Sequence, residues 1–459
     1  MAITAPAVAK PTPHDGARPN IVVILADNLG YGDLGCYGGL RAATPRIDAF
    51  AGEGVRLRDF QVEPACTQSR AAFLTGRMPV RSGTSAGTNK GGLDPREILL
   101  PELLHKVGYD TALFGKWHLG TAPERQPQAQ GFDRFYGILT SSEPVNPAIA
   151  GYADVKVHLQ DIVTATPGHA ATPVAQMTYE MRGRIDRDLA SRGVEYIREH
   201  ARGGKPFFLE VSFINVHHPV VPHPDFAGKS GGGAYSDALM EMDYNTGLIL
   251  DALRNAGLEQ NTIVIWMSDN GATRRSPDPD QNADPGQWSG DLGSAWEGSL
   301  RTAAMVRWPG RIPAGRIGDG MIHIMDFYPT LAHAAGTDIP HDRPVDGIDQ
   351  TGYLTGKIAN SPRDGRLVVY LDRLVAIRYK QFKLHKTIFP RFAGALSKGE
   401  DLEVPQVYNL RGDPKEMFDL LSTSGGLPVA KAVMSTADAY LESLKAFPNE
   451  DYSKMSGDK

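Results

Sequence analysis

The sequence has few cysteines, no long hydrophobic run and no excess of basic residues. With only Cys36 and Cys66 among 459 residues, the chain can form one disulfide at most, which excludes a disulfide-stapled scaffold. Because no apolar run is long enough to cross a bilayer, we expect no membrane partner. The net charge of −5, without a basic cluster, argues against nucleic acid as a partner.

The length and composition indicate a large, ordinary globular protein. Hydrophobic residues make up 41% of the chain and charged residues 22%, values typical of such proteins. Residues 1–18 are rich in alanine and proline, and we expect them to form a flexible tail. This segment lacks the basic start and apolar centre of a secretory signal, which favours the cytoplasm. A periplasmic or secreted location would require a leader that has been removed.

Four short apolar runs, each bounded by turn residues, indicate buried strands. They span residues 20–26, 109–114, 206–214 and 262–268. Helical patterns lie between them, for example at 99–108 and at 237–257, where Gly257 is a typical helix stop. Alternation of strands and helices predicts an α/β fold with a mostly parallel sheet.

The pattern changes beyond residue 360 and predicts a smaller antiparallel unit. The expected elements are a strand at 366–371, a hairpin at 374–387 turning at 379–381, a strand at 406–410 and a helix at 429–445. We therefore expect a catalytic α/β domain over residues 19–360 and a C-terminal α+β subdomain over residues 361–459.

Polar residues follow all four predicted strands. In chain order they are Asp27 with Asn28, Lys116 with His118, His217 with His218, and Asp269 with Asn270. Because ligands of open α/β sheets bind at the carboxyl ends of the strands, these side chains predict one site. Carboxylate and amide oxygens suit Ca²⁺ or Mg²⁺, and cations around such a metal suit hydrolysis or transfer of a phosphate or sulfate ester.

Several motifs resemble those of one enzyme family. The stretch "CTQSRAAFLTGR" (66–77) resembles the signature of the type I sulfatases, C-x-P/A-S-R followed by T-G-R. "ILADNLGYGDLGCYGG" (24–39), "GKWHLG" (115–120) and "SDNGA" (268–272) are similar to further motifs of that family. The resemblance implies the alkaline-phosphatase-like fold, a large mixed, mostly parallel sheet sandwiched by helices. A smaller C-terminal subdomain with an antiparallel sheet belongs to that expectation.

In the family, a maturase oxidises the signature cysteine to formylglycine, and a divalent cation is bound beside it. Carried over position by position, the cation ligands are Asp27, Asn28, the modified Cys66, Asp269 and Asn270. The resemblance implies Ca²⁺, with Mg²⁺ as the alternative. The maturase would be a transient partner of this chain.

The resemblance also implies the catalytic residues. Cys66 would supply the nucleophile as a hydrated aldehyde, and Arg70 would stabilise its oxygens. Lys116 and His118 would hold the substrate and the diol, and His217 rather than His218 would lie near the leaving oxygen.

The implied reaction is hydrolysis of a sulfate monoester through a covalent sulfo-enzyme intermediate. One hydroxyl of the diol attacks sulfur, with Asp269 as the expected activating group, and His217 protonates the leaving alcohol. The second hydroxyl then loses its proton to His118, and sulfate is expelled. An aryl sulfate is the default substrate, and alkyl and sugar sulfates stay open.

The chain departs from the family pattern at three positions. Asn28 replaces an aspartate, which should lower the affinity for the metal. Gln68 replaces the proline or alanine of the signature, which bears on the conversion of Cys66. Leu292 stands where the family commonly has a second sulfate-binding lysine, so sulfate contact would rest more on Lys116, His217 or another cation such as Arg301.

Two alternatives to a sulfate ester hydrolase follow. A phosphodiesterase or phosphonate monoester hydrolase could use the same modified cysteine and metal. A catalytically silent homologue would bind sulfated ligands without turnover. We expect the segments 141–175 and 276–290 to shape the substrate pocket, and Cys36 to be structural.

Overall fold

A computed structural model of the protein describes residues 18–85, 91–142, 159–274, 282–391 and 397–448. The strands are β1 (Asn20–Ala26), β2 (Val55–Leu57), β3 (Phe60–Gln61), β4 (Asp110–Lys116), β5 (Arg134–Ile138), β6 (Asp161–Ala165), β7 (Thr172–Gln176), β8 (Phe207–Ser212), β9 (Thr262–Ser268), β10 (Ala304–Arg307), β11 (Arg316–Gly318), β12 (Ile322–His323), β13 (Gly365–Tyr370), β14 (Arg373–Tyr379), β15 (Phe382–Ile388) and β16 (Glu400–Asn409). The helices are α1 (Pro45–Gly52), α2 (Cys66–Thr75), α3 (Leu100–His105), α4 (Tyr179–Arg182), α5 (Ile185–His200), α6 (Ala234–Asn255), α7 (Glu297–Leu300), α8 (Phe327–Ala335), α9 (Thr351–Leu354), α10 (Gly426–Ser435) and α11 (Asp438–Ala446).

Within these residues the main sheet has ten strands in the order β11-β2-β10-β9-β1-β8-β4-β5-β6-β7. Its centre is parallel, because β1 pairs with β8 and β9, and β4 pairs with β5 and β8, all in parallel. Antiparallel strands flank this centre at β10 and at β6 and β7. The predicted mixed, mostly parallel sheet is confirmed.

Both faces of the sheet are covered. Along β1, Ile21, Val23 and Leu25 belong to one core, which includes side chains of α2, α3 and α8. The alternate residues Val22 and Ile24 belong to a second core with side chains of α1, α5 and α6. A strand buried on both faces must be apolar at every position, which explains the unbroken apolar run of β1.

The C-terminal unit contains a separate antiparallel sheet in the order β13-β14-β15-β16. The hairpin predicted at 374–387 turns between Tyr379 and Phe382, as expected. The single helix predicted at 429–445 is wrong, because α10 ends at Ser435 and α11 begins at Asp438. The break places Val433 and Ala437 in one apolar cluster under the sheet, a packing constraint that the local sequence pattern does not reveal.

No helix among the described residues is both long and apolar enough to span a bilayer.

Candidate active site

The site lies where the central strands of the main sheet end. Asp27 and Asn28 directly follow β1, Asp269 and Asn270 directly follow β9, and Lys116 is the last residue of β4. Since β8 lies between β1 and β4 and all of these strands are parallel, their carboxyl ends share one edge. The convergence predicted from the residues after the strands is therefore observed for these five.

Asp27 is the centre of a buried charge cluster. Lys116 donates from Nζ to Asp27 Oδ2 at 2.6 Å, and both side chains are fully buried. Arg70 donates from Nε to Asp269 Oδ2 at 2.9 Å, and its Nη2 lies 3.8 Å from Asp27 Oδ2. Burial alone would raise the pKa of Asp27, but the charges of Lys116, His217 and Arg70 outweigh it and hold that pKa well below its usual range.

The second carboxylate behaves differently. Burial, reinforced by the negative charge of Asp27, raises the pKa of Asp269 despite its ion pair with Arg70. Asn28 adopts a left-handed conformation with φ of 65°, and its backbone N–H donates to Asp269 Oδ1 at 3.2 Å. Two carboxylates of unequal basicity therefore lie side by side at the ends of β1 and β9.

Cys66 is the first residue of α2, and its thiol faces the same cluster. Its Sγ lies 3.5 Å from Asp27 Oδ1 and 3.6 Å from Asn28 Oδ1. Burial raises the pKa of the Cys66 thiol well above its usual value, and the charges of Asp27 and Asp269 add to the rise. The charges of Lys116 and Arg70 oppose it without cancelling it. An unmodified cysteine would therefore be a poor nucleophile here.

His217 completes this side of the site. Asp27, Cys66 and His217 each place one ligand-type atom within 4.8 Å of the others. The ring Nδ1 lies 2.6 Å from the carbonyl oxygen of His218, which can only accept, so Nδ1 carries a proton. Nε2, 3.4 Å from Ser141 Oγ, is consequently the nitrogen that can gain or lose one.

His118 lies two residues beyond β4 and is half-buried. Its φ of 57° is left-handed, a conformation that non-glycine residues seldom adopt and that is often found at functional sites. The backbone N–H of His118 donates to the carbonyl of Leu139, which fixes the turn after β4.

The oxygen donors fit a hard divalent cation. Asn270 Nδ2 lies 2.5 Å from Asn28 Oδ1, whereas Asn270 Oδ1 is buried and has no hydrogen-bond partner among the described residues. A buried carbonyl oxygen without a partner is costly, and rotating this amide by half a turn would place the oxygen beside Asn28 Oδ1, where Nδ2 now lies. Two carboxylates and two amide oxygens form a donor set typical of Ca²⁺ or Mg²⁺.

Comparison with known proteins identifies the family. A family model described as Sulfatase matches residues 19–337. The chain belongs to the sulfatase family. It is similar to arylsulfatase A of Homo sapiens, with 35% identity covering 96% of this chain and 89% of that protein, and to steryl-sulfatase of Mus musculus, with 33% identity covering 92% and 79%. The family resemblance and the assignment to the sulfuric ester hydrolases are confirmed.

Solved structures support the fold of this sulfatase. The PsFucS1 sulfatase from Pseudoalteromonas sp. superimposes with a TM-score of 0.87 at 33% identity, over 95% of this chain and 92% of that chain. The expected combination of a large mixed sheet with a small antiparallel one is confirmed by this likeness and by the two sheets themselves.

Gln68 and Leu292, two of the three departures from the family pattern, are both buried in the sulfatase. Gln68 is buried in the first turn of α2, and its Nε2 donates to the backbone carbonyl of Ser85. Leu292 is also buried, and the next residue, Gly293, donates its N–H to the carbonyl of Pro64, two residues before Cys66. The leucine therefore lies on a segment that is pinned to the approach to the nucleophile.

Arg301, suggested as a substitute for the missing lysine, is engaged elsewhere. Its guanidinium contacts Glu297 at 2.7 Å and Asp59 at 3.2 Å, and it stacks on Trp288. We therefore do not retain Arg301 as a sulfate-binding residue.

Other supporting residues were missed by sequence reasoning. Ser212, the last residue of β8, accepts a hydrogen bond from Arg70 Nη1, and the strand-end rule could have found it. Ser142 Oγ lies 3.2 Å from His217 Nδ1. Arg182 donates to the carbonyls of Ile214 and His217 and to Asn215 Oδ1, and no motif marks this arginine.

Parts of the predicted pocket lie outside the described residues. The segments 141–175 and 276–290 are described except for residues 143–158 and 276–281. Cys36 and Cys66 are both free, and burial raises the pKa of Cys36, in keeping with a structural thiol.

Proposed function

We propose that this sulfatase hydrolyses sulfate monoesters, aryl sulfates first among them, with a formylglycine made from Cys66 as the nucleophile, through a covalent sulfo-enzyme intermediate. The observation that carries the proposal is the placement of Cys66 Sγ within 3.6 Å of two oxygen donors, Asp27 and Asn28, with Lys116 and Arg70 beside them. Such a cluster neutralises the negative charge of a bound sulfate ester.

The chain's own side chains would divide the work. Lys116 and Arg70 supply fixed positive charge, since both are buried and both have raised pKa values because of the neighbouring carboxylates, despite desolvation. His217 would donate a proton from Nε2 to the departing alcohol oxygen, its Nδ1 proton being held by the carbonyl of His218. His118 is the proposed acceptor of the proton released when sulfate leaves.

The proposed metal ligands are Asp27, Asn28, modified Cys66, Asp269 and Asn270, with Ca²⁺ as the expected ion and Mg²⁺ as the alternative. When bound, such a cation withdraws electron density from a sulfate oxygen and from the hydrated aldehyde. The carbonyl oxygen of Asn270, which is buried and has no hydrogen-bond partner in the described part of the chain, supports this assignment.

The first test is the mass of the tryptic peptide that contains Cys66, from protein produced with a formylglycine-generating maturase. Conversion of the thiol to the aldehyde removes about 18 Da, the difference between replacing SH and H by a carbonyl oxygen. An intact thiol under these conditions would contradict the proposed nucleophile and favour a homologue that binds without turnover.

The second test is turnover of 4-nitrophenyl sulfate. We expect hydrolysis by the converted protein and its loss, by a factor of at least about 10³, in Cys66→Ala, because the variant has no nucleophile. Faster hydrolysis of a phosphonate monoester or a phosphate diester than of the sulfate would favour a phosphoryl hydrolase instead.

A further inference from the structure

A large cleft lies between the main sheet and the C-terminal unit. Its volume is about 950 Å³, enough for a ligand of several rings. The main sheet contributes the loops after β2 and β11 and Arg301, which lies three residues before the start of β10. The C-terminal unit contributes the approach to β13, the β14–β15 turn and the loop after β16.

The cleft opens on the same sheet edge as the active site. β2 is parallel to β9, because both pair with β10 in antiparallel fashion, and β11 is parallel to β2. The carboxyl ends of β2 and β11 therefore face the same way as those of β1 and β9. Three strand spacings of about 4.8 Å separate β1 from β2, so the cleft begins roughly 14 Å from Asp27 along this edge.

Basic side chains outnumber acidic ones in the cleft. Six basic residues line it, against three carboxylates: Arg58, Arg301, Arg363, Arg378, Lys380 and Arg411, with Asp59, Asp319 and Asp364. The buried carboxylates of Asp326 and Glu297 lie behind this wall and pair with Arg363 and Arg378, so among the described residues the net excess is one positive charge, six cations against five carboxylates. This excess attracts an anion to the cleft.

The arginines deep in the cleft are held in buried ion pairs, whereas two cations at its rim can contact a ligand. Arg363 is held by Asp326, and Arg378 by Asp59 and Glu297, all buried. At the rim, Lys380 lies 3.8 Å from Asp364, an exposed pair that a ligand can displace. Arg411 is exposed and has no ion-pair partner in the part of the chain that the structure describes.

The wall of the cleft also suits a ligand with hydroxyl groups. Tyr31 and Trp288 meet edge to face with ring centroids 6.0 Å apart, and both line the cleft. Trp288 is only 5% exposed and is covered by the guanidinium of Arg301, so the half-buried Tyr31 supplies the accessible aromatic surface. The side-chain amides of Gln287, Asn360 and Gln381 lie alongside, and each offers both a donor and an acceptor. Aromatic surface next to amides and guanidinium groups matches a sugar that carries an anionic group.

We propose that this cleft is a second binding site, for a sulfated or carboxylated oligosaccharide, with Arg411 and Lys380 as its principal anion contacts. The site goes beyond the hydrolysis proposed above, since binding there requires no reaction at Cys66. The oligosaccharide is either the distant part of a long sulfated substrate or a separate ligand.

The test is the dissociation constant of a heparin hexasaccharide for Cys66→Ala, which cannot turn it over, measured by calorimetry. We expect Arg411→Glu and Lys380→Glu, each combined with Cys66→Ala, to weaken binding about tenfold, because each change replaces an attraction by a repulsion. Neutral maltohexaose should bind at least tenfold more weakly, and raising the salt concentration should weaken heparin binding.

The matched control is Arg202→Glu in the same background. Arg202 is an exposed arginine beyond the end of α5, and it does not line the cleft. Equal affinities of the Arg411→Glu and Arg202→Glu proteins, or no saturable binding at all, would overturn the proposal. Because Lys380 and Arg411 lie on different loops, a folding defect in one variant leaves the other to decide.

Inhibition of 4-nitrophenyl sulfate hydrolysis by the heparin hexasaccharide distinguishes the two sources of the ligand. If the inhibition is competitive, and its constant rises about tenfold in Arg411→Glu together with the dissociation constant, one molecule spans the cleft and the active site. Binding without inhibition indicates a separate ligand, and both results support the site. Absence of hydrolysis by the converted protein would overturn only the proposed function, because the binding experiment does not depend on it.

Discussion

At the scale of single residues, Glu210 is the least expected group near the active site. It is a buried residue of β8 whose neighbours across the strands, Val23 and Leu113, belong to the apolar core under α2. Its Oε2 is buried without a hydrogen-bond partner among the described residues. Burial raises the pKa of Glu210 to about 7, although the charge of Arg70 opposes the rise.

Glu210 should make the stability of the sulfatase depend on pH. Between its unfolded pKa near 4.5 and its folded pKa near 7, the folded protein holds a proton that the unfolded chain releases, so stability falls as the pH rises. Glu210→Gln should therefore raise the free energy of unfolding relative to wild type by about 3 kcal/mol at pH 8 and by about zero at pH 4.5. Urea unfolding of both proteins across this range measures the difference, and a difference independent of pH would contradict the assignment.

Leu292 tests whether a missing cation limits turnover. Its segment is pinned next to Pro64, so Leu292→Lys brings an ammonium group close to the nucleophile. We expect kcat/KM for 4-nitrophenyl sulfate to rise on the order of tenfold, since an added cation stabilises the charge of the transition state. Leu292→Met keeps the volume without the charge and serves as the control. An unchanged rate in Leu292→Lys would show that the gap does not matter.

The sequence was informative about the site wherever a strand end and a motif coincided. Asp27 and Asp269 directly follow apolar runs whose limits are unmistakable, so their convergence could be predicted. Ser142 and Arg182 could not, because they reach His217 through tertiary contacts that leave no local pattern. Glu210 is an acidic residue inside an apolar run, and only the packed structure reveals that it is buried and that the charge of Arg70 acts on it.

At the scale of elements, the end of α2 is set by a glycine that also makes room for a neighbour. Gly76 has φ of 68° and its N–H donates to the carbonyl of Ala72, whereas a Cβ there would lie 2.6 Å from the ring of Tyr328. Gly257, just beyond α6, has φ of 70°, but no atom of the described residues would lie within 4 Å of a Cβ there. The two positions share a backbone conformation and differ only in their contacts.

Gly76→Ala should therefore destabilise the protein more than Gly257→Ala. We expect a loss of about 1 kcal/mol in the free energy of unfolding for Gly257→Ala, from the left-handed conformation alone. For Gly76→Ala we expect roughly 2–4 kcal/mol, because the clash with Tyr328 adds to the same penalty. Urea unfolding curves of the two variants measure this, and equal losses would show that the ring of Tyr328 moves aside easily.

The first and last residues of an element could be predicted from the sequence only where turn residues mark its ends. β1 and β9 begin and end at the predicted residues, since turn residues bound each apolar run. The 429–445 segment has a continuous helical pattern, yet its helix breaks between Ser435 and Asp438. Val433 and Ala437 must both face the small sheet, and this requirement comes from packing rather than from propensity.

At the scale of the whole molecule, buried ion pairs join the main sheet to the C-terminal unit. Glu297 of α7 is fully buried and accepts from Lys383 Nζ of β15 at 3.0 Å, while Arg378 of β14 and Arg301 lie 3.3 Å and 2.7 Å away. Burial alone would raise the pKa of Glu297, but these three cations hold it well below its usual value. The Glu297 carboxylate is thus the shared counter-ion of cations that belong to both units.

Removing this counter-ion should loosen the junction that also forms the cleft. Glu297→Gln leaves the surrounding cations without their shared partner, and we expect the free energy of unfolding at pH 7 to fall by about 3–5 kcal/mol. The control is Glu442→Gln, because the Glu442–Lys445 pair at 2.6 Å is exposed and should contribute less than about 1 kcal/mol. Since the folded pKa of Glu297 is lowered, its contribution is fully present above the unfolded pKa near 4.5 and is lost progressively as the pH falls through the lowered folded pKa. The two variants should therefore converge only in strong acid. Urea unfolding of both variants at pH 7 and at a series of pH values below about 4.5 measures this difference. Equal small losses at pH 7 would mean that apolar packing alone joins the two units.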